Sequence, residues 1–162
     1  MRKILMFLAL FVGLGIAGFG QEVPVEEGVT DEDLKKYATV EFMTSDFVSK
    51  KTEELRNMIL NNEVIKGGAR YNEIKSAWGD EAKVTAANVT PEEKAAYQVI
   101  LDFQGGLQQS VVDYKTGLIK DEAVLGVSIY NKVNGAIKED PALKEKMDQL
   151  VQEMKAKSKG GA

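Results

Sequence analysis

A nine-residue pattern that occurs twice constrains this chain more than anything else in it. Val-Thr-x-Glu-acidic-x-x-x-Tyr runs from Val29 to Tyr37 and again from Val89 to Tyr97, an offset of 60 residues. Tyr71-Asn72 matches Tyr130-Asn131 at an offset of 59, and Asp80 with Ala82 matches Asp140 with Ala142 at 60. One single-residue slip accounts for all three matches. Both copies open as helices do. Thr30 and Thr90 are residues that cap a free helix start, and the acids that follow them complement the positive end of the helix dipole. Pro91 suits the first helical position, and Glu93 completes a capping box with Thr90. The repeated tyrosines Tyr37, Tyr97, Tyr71 and Tyr130 read as core anchors with the hydroxyl at the rim.

Apolar residues continue each start at a spacing of three or four. Leu34, Tyr37, Val40, Phe47 and Ile59 mark an amphipathic helix of about 30 residues that ends at Asn61-Asn62. Tyr97, Ile100, Leu107, Val111 and Leu118 mark a second, ending near Asp121. A shorter amphipathic piece follows each, over 70–78 and 128–137. Asp140-Pro141 announces a last helix through Met147 and Met154. No alternating strand pattern is present, and the three prolines lie outside the helix interiors. The fold class read from this is all-α, an antiparallel helical bundle built from two long-helix/short-helix hairpins. The repeats span about 30–88 and 90–151 within one domain over 30–157, and 158–162 reads as a disordered tail. Each hairpin alone would expose its apolar stripe, so the halves should fold as one unit.

Composition enters as exclusion. The 162 residues include no Cys and no His. That removes disulfides, thiol nucleophiles, zinc-thiolate sites, Ser-His and Cys-His pairs and the Glu-x-x-His di-iron motif. An enzyme made from this chain would have to use carboxylates, Lys, Tyr or a hydroxyl.

The first twenty residues read as an export signal. Arg2 and Lys3 precede the charge-free run Ile4 to Phe19, and the small residues Gly18 and Gly20 prepare a cut before Gln21. The run is 16 residues, short of the roughly 20 that span a bilayer. Cleavage leaves no transmembrane segment, a flexible arm over 21–29, and a periplasmic or extracellular protein. Losing Arg2 and Lys3 takes the formal charge from −4 to −6. An acidic chain whose only basic cluster is Lys155, Lys157 and Lys159 offers no stripe for nucleic acid.

Gly117-Leu118, Tyr130-Asn131-Lys132-Val133, Ala136 and Asp140-Pro141-Ala142-Leu143 together resemble a bacterial exported family. It is the family catalogued as domain of unknown function 4168 (DUF4168). The resemblance covers most of 29–151 and is specific over about 114–147. It implies a signal peptide, an opening helix and a Gly-Leu…Tyr-x-x-Ile…Asp-Pro-x-Leu block, often with the long helix doubled. The first half departs from this, with Met58-Ile59 and Gly67-Gly68 where Gly-Leu is expected and Asp80-Glu81 in place of Asp-Pro. The family has no established function, so the resemblance implies fold and compartment but no activity.

Gly105-Gly106 inside a strong helix costs roughly 2 kcal/mol relative to Ala, so compensation is expected there. Gln104, Gly105 and Gly106 correspond in the repeat to Thr44, Ser45 and Asp46. Thr44, Ser45, Gln104, Gly105 and Gly106 therefore form a candidate site. It is either a polar cavity for a small ligand or a close helix crossing in which Thr44 and Gln104 satisfy each other. The acidic doublets, such as Glu92-Glu93 and Asp121-Glu122, lack calcium-loop spacing and read as helix-end and surface charge. The anchors Thr30, Tyr37, Tyr71, Thr90, Tyr97, Tyr130 and Asp140 read as structural. No catalytic residue, metal ligand or cofactor site is assigned. The leading expectation is a non-enzymatic envelope protein that binds a protein or envelope component, its oligomeric state left open. A periplasmic stress chaperone-like protein is the alternative, and a carboxylate-based or metal-dependent enzyme comes last.

Overall fold

The computed structural model describes residues 28–160. The segment read as an export signal and most of the expected arm lie outside them. The described residues form six helices and no strand: α1 (Asp31–Leu60), α2 (Gly68–Ala77), α3 (Glu81–Ala86), α4 (Pro91–Lys120), α5 (Val127–Glu139) and α6 (Pro141–Gly160). The fold is all-α.

Both long helices start from reciprocal capping boxes. The Asp33 N–H donates to Thr30 Oγ1 at 3.1 Å, and the Thr30 N–H donates back to Asp33 Oδ2 at 3.2 Å. The second box has the same form, with Glu93 N–H to Thr90 Oγ1 at 3.2 Å and Thr90 N–H to Glu93 Oε2 at 2.9 Å. An Asp serves at the third position of α1, where a Glu or Gln is usual. Both helices run for 30 residues and stop where an Asn or Asp side chain captures the next turn. Asn62 Oδ1 accepts from the Val64 and Ile65 N–H groups, and Asp121 Oδ1 accepts from Ala123 N–H. The chain then swings into α2 and α5 through Gly67 (φ 97°) and Gly126 (φ 84°), a backbone region closed to most other residues. At Gly126 a side chain would also require the Glu122 carboxylate to move aside.

α1 and α4 are antiparallel, since the start of α1 shares an apolar cluster with the end of α4 and the reverse. At the first pole, Leu34, Tyr37, Ala38 and Val40 pack with Ile119, Leu125, Tyr130, Val133, Met147 and Val151. At the second pole, Ile59 and Ile65 pack with Tyr71, Ile74, Tyr97 and Ile100. α5 thus covers the start of α1, and α2 covers the start of α4. Between the poles the pair is thinner. No residue from 41 to 58 or from 101 to 118 is fully buried. Phe47 stacks on Tyr114 there at 4.2 Å between ring centroids, and Lys115 Nζ meets Glu41 Oε1 at 2.6 Å.

The helices depart from the sequence expectation in two places. α3 is an additional helix of six residues, capped by Asp80. α6 continues to Gly160, past the point where a disordered tail was expected. It runs parallel to α1, because Lys146 pairs with Asp31 and Met154 reaches Thr39, two contacts with the same sequence offset. The seat for α6 on α1 is made by Leu34, Ala38 and Phe42, which belong to the cluster that holds Met147 and Val151. Sixty residues on stand Lys94, Gln98 and Asp102. That polar face of α4 has nothing to offer a third long helix, and α3 stays short.

Candidate functional site

The five residues singled out between the long helices do not meet. Glu41 pairs with Lys115, and Lys51 lies over the Phe103 ring. In that register Thr44 stands opposite the stretch near Val111, and Gln104 opposite the stretch near Lys51. About seven residues, roughly 10 Å of helix, separate the two. Both residues lie near the middle of their helices, but the register makes matched positions face each other a few residues further on, near 47 and 107. Thr44 Oγ1 instead donates to its own helix at Val40 O, 2.7 Å away, and the Ser45 carbonyl accepts from Ser49 Oγ at 3.0 Å. Gln104 Nε2 reaches Tyr71 Oη on α2 at 3.3 Å. Gly105 and Gly106 are exposed, and a Cβ on either would meet nothing within 4 Å. They therefore line no void and make no close crossing.

The repeated anchors do converge. Tyr37 stacks on Tyr130 at 5.6 Å, and Tyr71 lies against Tyr97 at 5.4 Å. Trp78 adds a third ring to the second group, 4.5 Å from Tyr97. Burial pushes the Tyr97 hydroxyl up to about 12. Asp140 Oδ1 accepts from the Ala142 and Leu143 N–H groups and so starts α6, as Asp80 starts α3.

The two buried acids, Asp33 and Glu93, are both tied to a cation from a short helix. Lys132 Nζ of α5 lies 2.7 Å from Asp33 Oδ2. Burial works against the Asp33 carboxylate, yet Lys132 and the hydrogen bonds at Thr30 hold it below its ordinary value. Arg70 of α2 grips Glu93 with two bonds, Nε to Oε1 at 2.6 Å and Nη2 to Oε2 at 2.7 Å. Its Nη1 reaches Ala87 O at 3.0 Å and Glu73 Oε2 at 2.7 Å, and Nη2 also reaches Asn88 O at 3.2 Å. The guanidinium sets the Glu93 carboxyl down to about 2 despite its burial. One side chain thus joins α2, the turn after α3 and the start of α4. Pattern reading passed over Arg70 and Lys132, whose only sequence mark is nearness to the repeated tyrosines.

The described residues hold no group of three acidic side chains placed to share a metal ion. Their most marked surface feature lies at the second pole. Leu60, Val64 and Val99 are 45%, 42% and 58% exposed, the large apolar side chains least covered among the described residues. Between the end of α1 and the start of α4 lies an open groove of about 490 Å³. Met58, Ala96, Val99 and Ile100 form its apolar floor, with Asn57, Asn61, Asn62 and Glu63 around it. Val99 falls outside the Tyr97–Ile100 core stripe, and that was its signal in the sequence. No helix among the described residues is long and apolar enough to cross a membrane. No family model, curated protein or solved structure matches the chain.

Proposed function

We propose that this is an exported, non-enzymatic helical protein of the bacterial cell envelope, related to the DUF4168 family, which acts by binding another envelope component. On this reading the chain is a bundle of two repeated units that clasp each other. The matched 30-residue helices, their capping boxes and the tyrosine contacts at both poles support that description. The observation that carries the binding role is the exposure of Leu60, Val64 and Val99 at one pole, with Val99 lining the groove there. The buried acids favour it too, because Asp33 and Glu93 are engaged in holding helices together. Export follows from the Arg2–Gly20 segment.

The test places a photo-crosslinking amino acid at position 99 and, as a control, at exposed Glu153 in a Gram-negative host. The envelope fraction should contain a chain starting at Gln21 by mass spectrometry, with adducts from position 99 and none from 153. An unprocessed cytoplasmic chain, or adducts of equal yield from both positions, would reject the reading.

A further inference from the structure

We infer that the groove at the second pole is a peptide site, and that its ligand is an extended segment carrying an apolar side chain beside a Lys or Arg. The inference rests on the binding role proposed above and names its partner class. Area, hydrogen bonding and charge together select this occupant.

The first is area. Val99 is the one half-exposed apolar side chain that lines the groove, so the apolar area on offer falls far short of the about 800 Å² per partner in a stable interface between folded proteins. A second copy of this chain would gain too little here. One or two side chains from a linear segment fit the floor of Met58, Ala96 and Val99, and Met58 adapts to different shapes.

The second is hydrogen bonding. Asn61 Nδ2 is engaged with Asn57 Oδ1 at 3.4 Å, and Asn62 Oδ1 accepts from Val64 and Ile65. Among the described residues this leaves the Asn57 and Asn62 amides as donors and Asn61 Oδ1 as an acceptor. A row of donors and an acceptor beside an apolar floor matches an extended backbone, which presents both kinds of group at each residue.

The third is charge. Glu63 is the one charged residue lining the groove, and it joins none of the ion pairs among the described residues. A basic residue next to the anchor would pair with it. An anionic lipid headgroup would be repelled.

The test pans a library of random-sequence peptides on the purified chain and on the variants Val99→Asp and Glu63→Lys. Affinities for the enriched consensus peptide are then measured by fluorescence anisotropy. Wild type should enrich an apolar–basic pair. Val99→Asp should weaken the consensus peptide about tenfold or more, the loss expected when an apolar contact of this size becomes a charge. Glu63→Lys should turn the preference beside the anchor from basic to acidic. Both positions are exposed, so helical circular dichroism and Trp78 fluorescence should not change. If Val99→Asp nonetheless unfolds, the charge inversion at Glu63 decides alone. Enriched peptides that bind both variants as wild type would refute this site while leaving a binding role intact. No enrichment on wild type would refute the peptide ligand, and the crosslinking at position 99 would still judge the broader reading.

Discussion

Replacing Arg70 with Gln is the sharpest test of how the second pole is held. In the folded chain the Glu93 carboxyl sits at about 2 where 4.5 is ordinary, chiefly because Arg70 donates to both of its oxygens. A shift of that size corresponds to about 3.4 kcal/mol if the whole effect reached stability. Arg70 is partly exposed and water screens the pair, so roughly 2 kcal/mol is the expected loss. Glu93 is only 8% exposed and would be left without its cation, so the loss should not fall much below that. For a domain of this size it lowers Tm by about 6 °C. The pH dependence has a definite sign. A carboxyl depressed by folding contributes fully above 4.5, and the contribution disappears as pH falls through about 2. The gap between wild type and Arg70→Gln should therefore be complete at pH 7 and under about half as large at pH 3. Trp78 fluorescence reads the second pole during thermal unfolding, because its ring lies against Tyr97. Arg70→Gln, Glu93→Gln and the double variant form a cycle that isolates the pair. A Tm within 1 °C of wild type, or a gap that does not shrink with acid, would refute the reasoning.

Gly105→Ala and Gly106→Ala should each stabilise the chain by about 1 kcal/mol in urea unfolding, since both lie in α4 with open space where the methyl would go. A loss of stability in either would mean that the glycine has a role the geometry does not account for. Ala38→Gln should destabilise by about 2 kcal/mol or more, because its Cβ is fully buried in the cluster that seats α6, whereas Gln98→Ala at the matching exposed position should change stability by less than about 0.5 kcal/mol. Equal effects at the two positions would contradict the explanation given for the short α3. Tyr130→Ala removes the ring stacked on Tyr37 and should cost about 3 kcal/mol. Its Trp78 fluorescence midpoint should fall together with the circular dichroism midpoint, because α1 and α4 run through both clusters; a fluorescence midpoint that stays put would show that the poles unfold separately.

Local chemistry made the helix starts legible. A capping threonine, its acid and the proline at 91 act within four residues, so Thr30 and Thr90 mark their helices in sequence and again in hydrogen bonds. The core tyrosines were legible because a long apolar side chain at helical spacing has few other places to go. Contacts between elements were less so. Gln104 and Thr44 suggested partners because they match in the repeat, but the register of the antiparallel pair is off centre by a few residues, and each side chain bonds elsewhere. Arg70 carried no period and no motif. Its role depends on α2 lying across the start of α4, which only the tertiary arrangement supplies.

The differences between the two halves explain why the candidate site lies where it does. Leu34, Ala38 and Phe42 on α1 are apolar and admit α6, which extends the first cluster along a 20-residue helix. With Lys94, Gln98 and Asp102 at the matching positions, α4 gains no such cover, and the second cluster stays small. The same helix nevertheless keeps Val99 at the surface beside the exposed end of α1, where Leu60 and Val64 also stand. The absence of a third long helix by itself calls only for a polar surface where that helix would lie. Here the stripe through 94, 98 and 102 is polar while the neighbouring groove keeps an apolar floor with amides and one acid around it. The missing cover therefore accounts for the polar stripe but not for the groove, and the proposed binding role is what would account for the groove.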